Sequence, residues 1–191
     1  MIKIAILASG SGSNAENIYN YFKSSKQIEI ALIISNRQDA YVLERAGRLN
    51  IESAVFSRND FEKTNKVIDI LKDKEIDFII LAGFLLKVPG NIINAYPDKI
   101  INIHPALLPK FGGKGMYGDN VHKAVRNANE AESGITIHYV NENYDEGNII
   151  FQAKCTVDKE DSYEDIAKKV HILEYKHFPE IIESVILSET T

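Results

Sequence analysis

The chain has no tryptophan, one cysteine and five prolines in 191 residues. A single thiol, Cys155, excludes an internal disulfide framework. It stands in an apolar-alternating run, where a buried or half-buried structural thiol is expected rather than a nucleophile. Positive charge is not in excess either: 22 Lys and Arg stand against 27 Asp and Glu, a net charge of -5. No basic field is therefore available for nucleic acid or an anionic membrane, although an acidic protein can still hold a phosphate at a local site. No apolar run approaches the ~20 residues that span a bilayer. The stretch from Ile4 to Ala8 is too short for the core of a signal peptide and reads as a strand. A cytoplasmic protein is expected. His122, His138, His171 and His177 show no His-x-x-x-His or Cys–His spacing, so no metal site is expected and each reads as structural or solvent-facing. Repeats, low-complexity tracts and linker-like segments are also lacking.

What is present is the balance of an ordinary globular protein, 45% hydrophobic and 26% charged, long enough to bury a sizeable core. Apolar strands over Ile2–Ala8, Ile28–Ile34, Ser53–Phe56 and Asp77–Ala82 alternate with helical patterns over Ala15–Phe22, Ala40–Leu49 and Asp60–Lys74. Continuous apolar strands between amphipathic helices predict a parallel sheet covered on both faces. The expected fold class is α/β: a doubly wound, mostly parallel, Rossmann-like sheet with helices on both faces. In the second half, a helix over Asp119–Asn127, with Asp119 as a possible N-cap, precedes strands over Gly134–Val140 and Asn148–Val157. The first of these alternates Ile135, Ile137 and Tyr139 against Thr136, His138 and Val140. A final helix begins at Ser162, where Asp165 suggests a capping pair, and runs to about Leu187. We expect one domain over 1–191, with a phosphate- or nucleotide-binding half at 1–100. The other half, 101–191, would be catalytic, its C-terminal strands completing a cleft.

The first strand runs into Ser9-Gly10-Ser11-Gly12-Ser13-Asn14 and then a helix, the order of an anion site. Glycine lets the backbone approach a ligand, and helix N-terminal N–H groups attract phosphate. A plain turn capped by Ser13 or Asn14 fits these residues equally well. A dinucleotide is less suited: position 15 is Ala, and the second strand ends in Ser35-Asn36-Arg37 without an acid for a ribose diol. No Gly-Lys-Ser/Thr marks a triphosphate loop, so a sugar monophosphate is the better ligand class.

Near the middle of the chain, Ile100-Ile101 leads into Asn102-Ile103-His104-Pro105. Alternate residues of a strand share a face, so Asn102 and His104 project together at its end, where Pro105 and Pro109 stop it. An amide donor beside an imidazole suits oxyanion stabilisation with acid–base work. A hydrogen-bonded structural histidine is the competing reading of this motif taken alone. The acidic turn Asn141-Glu142-Asn143-Tyr144-Asp145-Glu146-Gly147 is either a polar hairpin or the source of a carboxylate, Asp145, that orients His104. Gly112–Gly118 is a glycine-rich loop. Glu174 reads by default as a solvated carboxylate, and Arg58 as a loop charge or an anion contact. Gly83–Val88 leaves the C-terminal end of a strand, where α/β ligands bind; its apolar residues line a pocket for a flat ring or fill core.

The strings Ala8–Asn14, Ser35-Asn36-Arg37, Leu81-Ala82-Gly83-Phe84, Asn102-Ile103-His104-Pro105 through Leu107-Leu108-Pro109, and Asp145 before Gly147 carry a resemblance over nearly the whole length. The chain resembles the small, standalone phosphoribosylglycinamide formyltransferases, within the wider formyltetrahydrofolate-using formyltransferases. The resemblance implies formyl transfer from 10-formyltetrahydrofolate to the amine of glycinamide ribonucleotide in purine biosynthesis, with no metal. It implies Asn102, His104 and Asp145 as the catalytic residues. Substrate phosphate would lie on Gly12, Ser13 and Asn14, with Glu174 near the glycinamide end. Folate would contact Arg58, Leu85, Leu86, Lys87, Val88, Asn141, Glu142, Asn143 and Tyr144. Small-molecule substrates are the implied partners, with no nucleic acid or membrane, and the chain is expected as a monomer or homodimer. Departures from the family pattern are Glu146 where Gly is common, a longer 112–118 loop, and Leu86 where some relatives carry Arg.

Overall fold

A computed structural model describes residues 1–189. Seven strands make one sheet: β1 (Ile2–Leu7), β2 (Ile28–Ser35), β3 (Ser53–Val55), β4 (Phe78–Leu81), β5 (Ile100–His104), β6 (Glu132–Tyr139) and β7 (Ile149–Thr156). Their order is β3-β2-β1-β4-β5-β6-β7. β1 pairs in parallel with β2 and β4, and β2 with β3. β6 and β7 pair antiparallel. The chain is thus α/β with a mostly parallel sheet, as the alternation of apolar runs and amphipathic helices predicts. It divides into compact units at Met1–Ile101 and Asn102–Thr191.

In the first unit, β1 lies at the topological switch between β2 and β4. Its residues Ile4–Leu7 are fully buried. α1 (Ser13–Phe22) and α2 (Tyr41–Arg48) follow the first two strands. Buried Ser9 ties three strand exits together: its Oγ donates to Asn36 Oδ1 at 2.5 Å and accepts from the Leu85 N–H at 2.9 Å, while its N–H donates to the Gly83 carbonyl at 3.0 Å.

The single helix expected over Asp60–Lys74 is two, α3 (Arg58–Lys63) and α4 (Lys66–Asp73). Ser57 and Asp60 form a capping box, which starts α3 earlier than expected. Thr64 ends it: its Oγ1 donates to the Asp60 carbonyl at 2.8 Å, and its backbone is extended. A short helix, α5 (Gly90–Ala95), follows Pro89 and was not expected. Pro89 serves as N-cap with its φ at -75°, a value the pyrrolidine ring fixes.

In the second unit, α6 (Asp119–Asn127) has Gly118 rather than Asp119 as its N-cap. α7 (Tyr163–Ser188) carries the expected Ser162–Asp165 capping box. α7 packs on α6, β6 and β7. β6 corrects the alternating reading: from Ser133 to His138 every residue is buried, Thr136 and His138 included. The strand is interior, between β5 and β7, so neither of its faces is given to water.

Candidate active site

β5 ends in a pair of side chains that share a face, Asn102 and His104, as alternation requires. His104 is buried, 4% exposed. Its Nε2 lies 2.8 Å from the Phe111 carbonyl oxygen and its Nδ1 lies 3.6 Å from Asp145 Oδ2. Phe111 sits at φ 57°, a left-handed backbone that non-glycine residues rarely adopt. This conformation belongs to the turn that carries its carbonyl to the imidazole. A carbonyl only accepts, so Nε2 carries a hydrogen.

Asp145 is reached from the β6–β7 connection. It too has a left-handed backbone, φ 56°. Its Oδ2 accepts the Gly113 N–H at 2.8 Å, and its Oδ1 lies 3.7 Å from His138 Nε2. One carboxylate therefore stands between two imidazoles, with an oxygen toward each. Gly147 lets the hairpin close tightly enough to bring Asp145 there: a Cβ at this position would lie 1.7 Å from the Tyr139 carbonyl oxygen. No side chain larger than hydrogen fits.

Of the two sequence readings of His138, structural or solvent-facing, burial excludes the second. His138 is buried on β6, 2% exposed, with Nε2 3.0 Å from Asn102 Nδ2 and Nδ1 2.8 Å from the Tyr139 carbonyl oxygen. Burial holds its pKa below the ordinary histidine value, despite the opposing hydrogen bond to Tyr139 and the Asp145 charge. The period-two pattern of β6 gave Asn102 and His138 no visible relation; only the pairing order of the strands does.

Glu174 also departs from its default reading. It is buried on α7, 4% exposed, and its Oε2 lies 2.8 Å from His171 Nδ1. That hydrogen bond raises the His171 pKa above its usual value. Buried His122, on α6, has its ring centroid 6.4 Å from that of His171. Burial, then the neighbouring His171, lowers the pKa of His122.

In the first unit, Gly12 is the N-cap of α1 at φ 74°, and no side chain caps that end. The alternative in which Ser13 or Asn14 caps the helix is not what forms; both residues are inside its first turn. A Cβ at Gly12 would lie 2.4 Å from Val42 Cγ2, so glycine is needed for both φ and space. Arg45 holds the loop from α2: its Nε donates to the Ser11 carbonyl at 2.8 Å and its guanidinium pairs with Glu16. The loop is an uncapped helix start with its backbone braced, a geometry suited to an anion.

Arg58 opens α3 with an exposed guanidinium 3.2 Å from Glu62. The ring of Phe61, on the same helix, packs 5.1 Å from that of Phe84, so α3 neighbours the Leu85–Val88 segment. Leu85 and Lys87 are exposed, Leu86 is half-buried and Val88 is buried. Asn141, Glu142, Asn143 and Tyr144 are exposed, and Asn141 Oδ1 accepts the Asn143 N–H at 2.9 Å. Among the described residues, no helix is long and apolar enough to cross a membrane, and no cluster of three or more His, Cys, Asp or Glu is arranged to hold a metal.

The arrangement gathers an amide, an imidazole and a carboxylate at one place, the equipment for acyl transfer. Residues 2–182 match the family described as formyl transferase. The chain is 38% identical over 189 residues to the phosphoribosylglycinamide formyltransferase, chloroplastic, of Arabidopsis thaliana, covering 96% of this chain. It spans only 65% of that plant relative's length. It is 36% identical to the phosphoribosylglycinamide formyltransferase of Bacillus subtilis, covering 97% of this chain and 95% of that protein. The solved phosphoribosylglycinamide formyltransferase of Bacillus halodurans superposes with a TM-score of 0.88 at 34% identity, covering 99% of this chain and 97% of that one.

Proposed function

This chain belongs to the formyl transferase family, and from that premise we propose that it moves the formyl group of 10-formyltetrahydrofolate onto the amine of 5'-phosphoribosylglycinamide. The observation that carries the reading is the Asp145 carboxylate set between His104 and His138, with Asn102 bonded into the same group. The transformation is a step of purine biosynthesis, carried out in the cytoplasm on small molecules.

The neutral glycinamide nitrogen attacks the formyl carbon and a tetrahedral oxyanion forms. Asn102 donates to that oxygen; removing one such donor typically costs ~10²–10³ in rate. His104 Nε2, which donates to the Phe111 carbonyl in the structure, turns to the same oxygen. Asp145 holds the other side of that ring. The proton lost by the attacking amine passes to the departing folate nitrogen through His104 or an ordered water. Binding both substrates together removes much of the entropic barrier.

Gly12, Ser13 and Asn14 hold the phosphate, which the braced, uncapped start of α1 supports. Glu174 takes the glycinamide end. Leu85–Val88 and Asn141–Tyr144 contact the folate, with Arg58 toward its acidic tail. Incubation of the purified protein with both substrates, following the folate absorbance, tests the reading. Formylated product only when the ribonucleotide is present is the expected result. Formate release without it would indicate hydrolysis instead and overturn the proposal.

A further inference from the structure

One atom whose hydrogen-bonding role is fixed, together with burial, determines the state of His138. Its Nδ1 lies 2.8 Å from the Tyr139 carbonyl oxygen, which only accepts. Nδ1 must therefore carry a hydrogen. The ring is buried at 2% exposure, where a second proton is disfavoured by desolvation. Nε2 is then left with a lone pair, and the partner that a lone pair needs is a donor. Asn102 Nδ2, 3.0 Å away, is one. The same lone pair sets which way the amide faces. A terminal amide torsion is broad and roughly two-fold, so by itself Asn102 has no preference between its nitrogen and its oxygen. A neutral His138 with hydrogen on Nδ1 accepts only the nitrogen.

We propose that His138 is a positioning residue for formyl transfer: in a single neutral tautomer it accepts one hydrogen of the Asn102 amide and so keeps that amide turned as a donor for the oxyanion. The inference rests on the reading of the reaction given above. Without His138 the amide is free to flip and present Oδ1, an acceptor, to a developing negative charge.

The charged and titratable groups facing His138 make the tautomer consequential. Asp145 Oδ1, from the hairpin, lies 3.7 Å from Nε2, and His104, from β5, faces the other oxygen of the same carboxylate. A proton added at Nε2 would turn that nitrogen into a donor. It would repel the Asn102 NH₂ and draw Asp145 toward His138, away from His104. Acidification therefore disables the oxyanion donor and the imidazole's partner together.

The test uses the full-length protein in two ways. His138→Leu removes the acceptor with little change of volume, and His138→Gln restores an acceptor oxygen near the Nε2 position. We expect His138→Leu to lower kcat by about 10²–10³, the cost of losing an oxyanion donor, with both KM values within a few-fold. His138→Gln should recover most of the loss and lack the acid limb that His138 protonation gives the wild type. Full kcat in folded His138→Leu, or no recovery in folded His138→Gln, would overturn the proposal. The second readout needs no activity: nitrogen NMR of histidine-labelled wild type should show His138 Nδ1 protonated and Nε2 bearing a lone pair at pH 7. The reverse tautomer, or a doubly protonated ring, would overturn the inference even if formyl transfer is observed. Absent transfer with the expected tautomer would instead count against the reaction assigned above.

Discussion

The backbone N–H of Gly113 donates to Asp145 Oδ2 at 2.8 Å, the same oxygen that faces His104 Nδ1 at 3.6 Å. The carboxylate is thus fixed by main chain from one side before it meets the imidazole. Two residues earlier, the Phe111 carbonyl takes the opposite nitrogen of the same ring. One short loop segment sets both the imidazole and its acid.

Removing the charge of Asp145 while keeping its shape leaves the Gly113 contact possible but takes away the partner of His104. Asp145→Asn is expected to lower kcat by about 10²–10⁴, the range of general acid–base contributions, with KM for the ribonucleotide nearly unchanged. Steady-state kinetics at fixed pH measures this. Wild-type turnover would remove Asp145 from the chemistry.

Gly147 is a steric requirement of the hairpin that carries Asp145. Gly147→Ala places a carbon where the Tyr139 carbonyl oxygen already is, 1.7 Å away, and the strands must separate to admit it. A cost of about 1–3 kcal/mol or more is expected from overpacking. For a chain of this size that is a Tm loss of at least about 2–4 °C. An unchanged melting temperature by calorimetry would show that the hairpin closes differently.

Gly12→Ala acts on the other unit. The substitution meets Val42 and must adopt a left-handed backbone, so the loop shifts. The expected outcome is a KM for the ribonucleotide raised at least about tenfold, the effect of ~1.4 kcal/mol, with a smaller change in kcat. Equal loss in KM for folate would argue against a phosphate role.

Acid stability has a defined sign. Burial lowers the pKa values of His122 and His138 below 6.5, so below pH 6.5 the unfolded chain binds more protons than the folded one at these sites. Their contribution to stability falls as pH drops through and below that value. His171 has the opposite sign, because its bond to Glu174 raises its pKa: its contribution is complete below 6.5 and is lost as pH rises through the elevated value. His122→Met should flatten the decline in urea midpoint between pH 7 and 5. An identical slope in the variant would exclude His122 as a source.

The sequence made Asn102 and His104 legible because a strand places alternate residues on one face and prolines mark its end. The parallel sheet was legible because buried strands read as unbroken apolar runs. Asp145 came within reach as a hypothesis, since a polar turn between two strands returns the chain to the sheet end, but no spacing rule brings it to His104. His138 was hidden by the same alternation that revealed His104. Its strand is buried on both faces, so its polar residues do not mark a wet side. The helix break at Thr64 escaped notice because it depends on one hydroxyl bonding back to Asp60 rather than on a glycine or proline. Glu174 looked solvated because helical position alone does not disclose burial or the partner at His171.

The most direct measurement is product formation by the unmodified protein given 10-formyltetrahydrofolate with and without glycinamide ribonucleotide, repeated with folded His104→Ala. The expected result is ribonucleotide-dependent appearance of the formylated amide in the wild type, and a kcat lower by orders of magnitude in the variant. Folate turnover that ignores the ribonucleotide, or a variant as fast as the wild type, would contradict it.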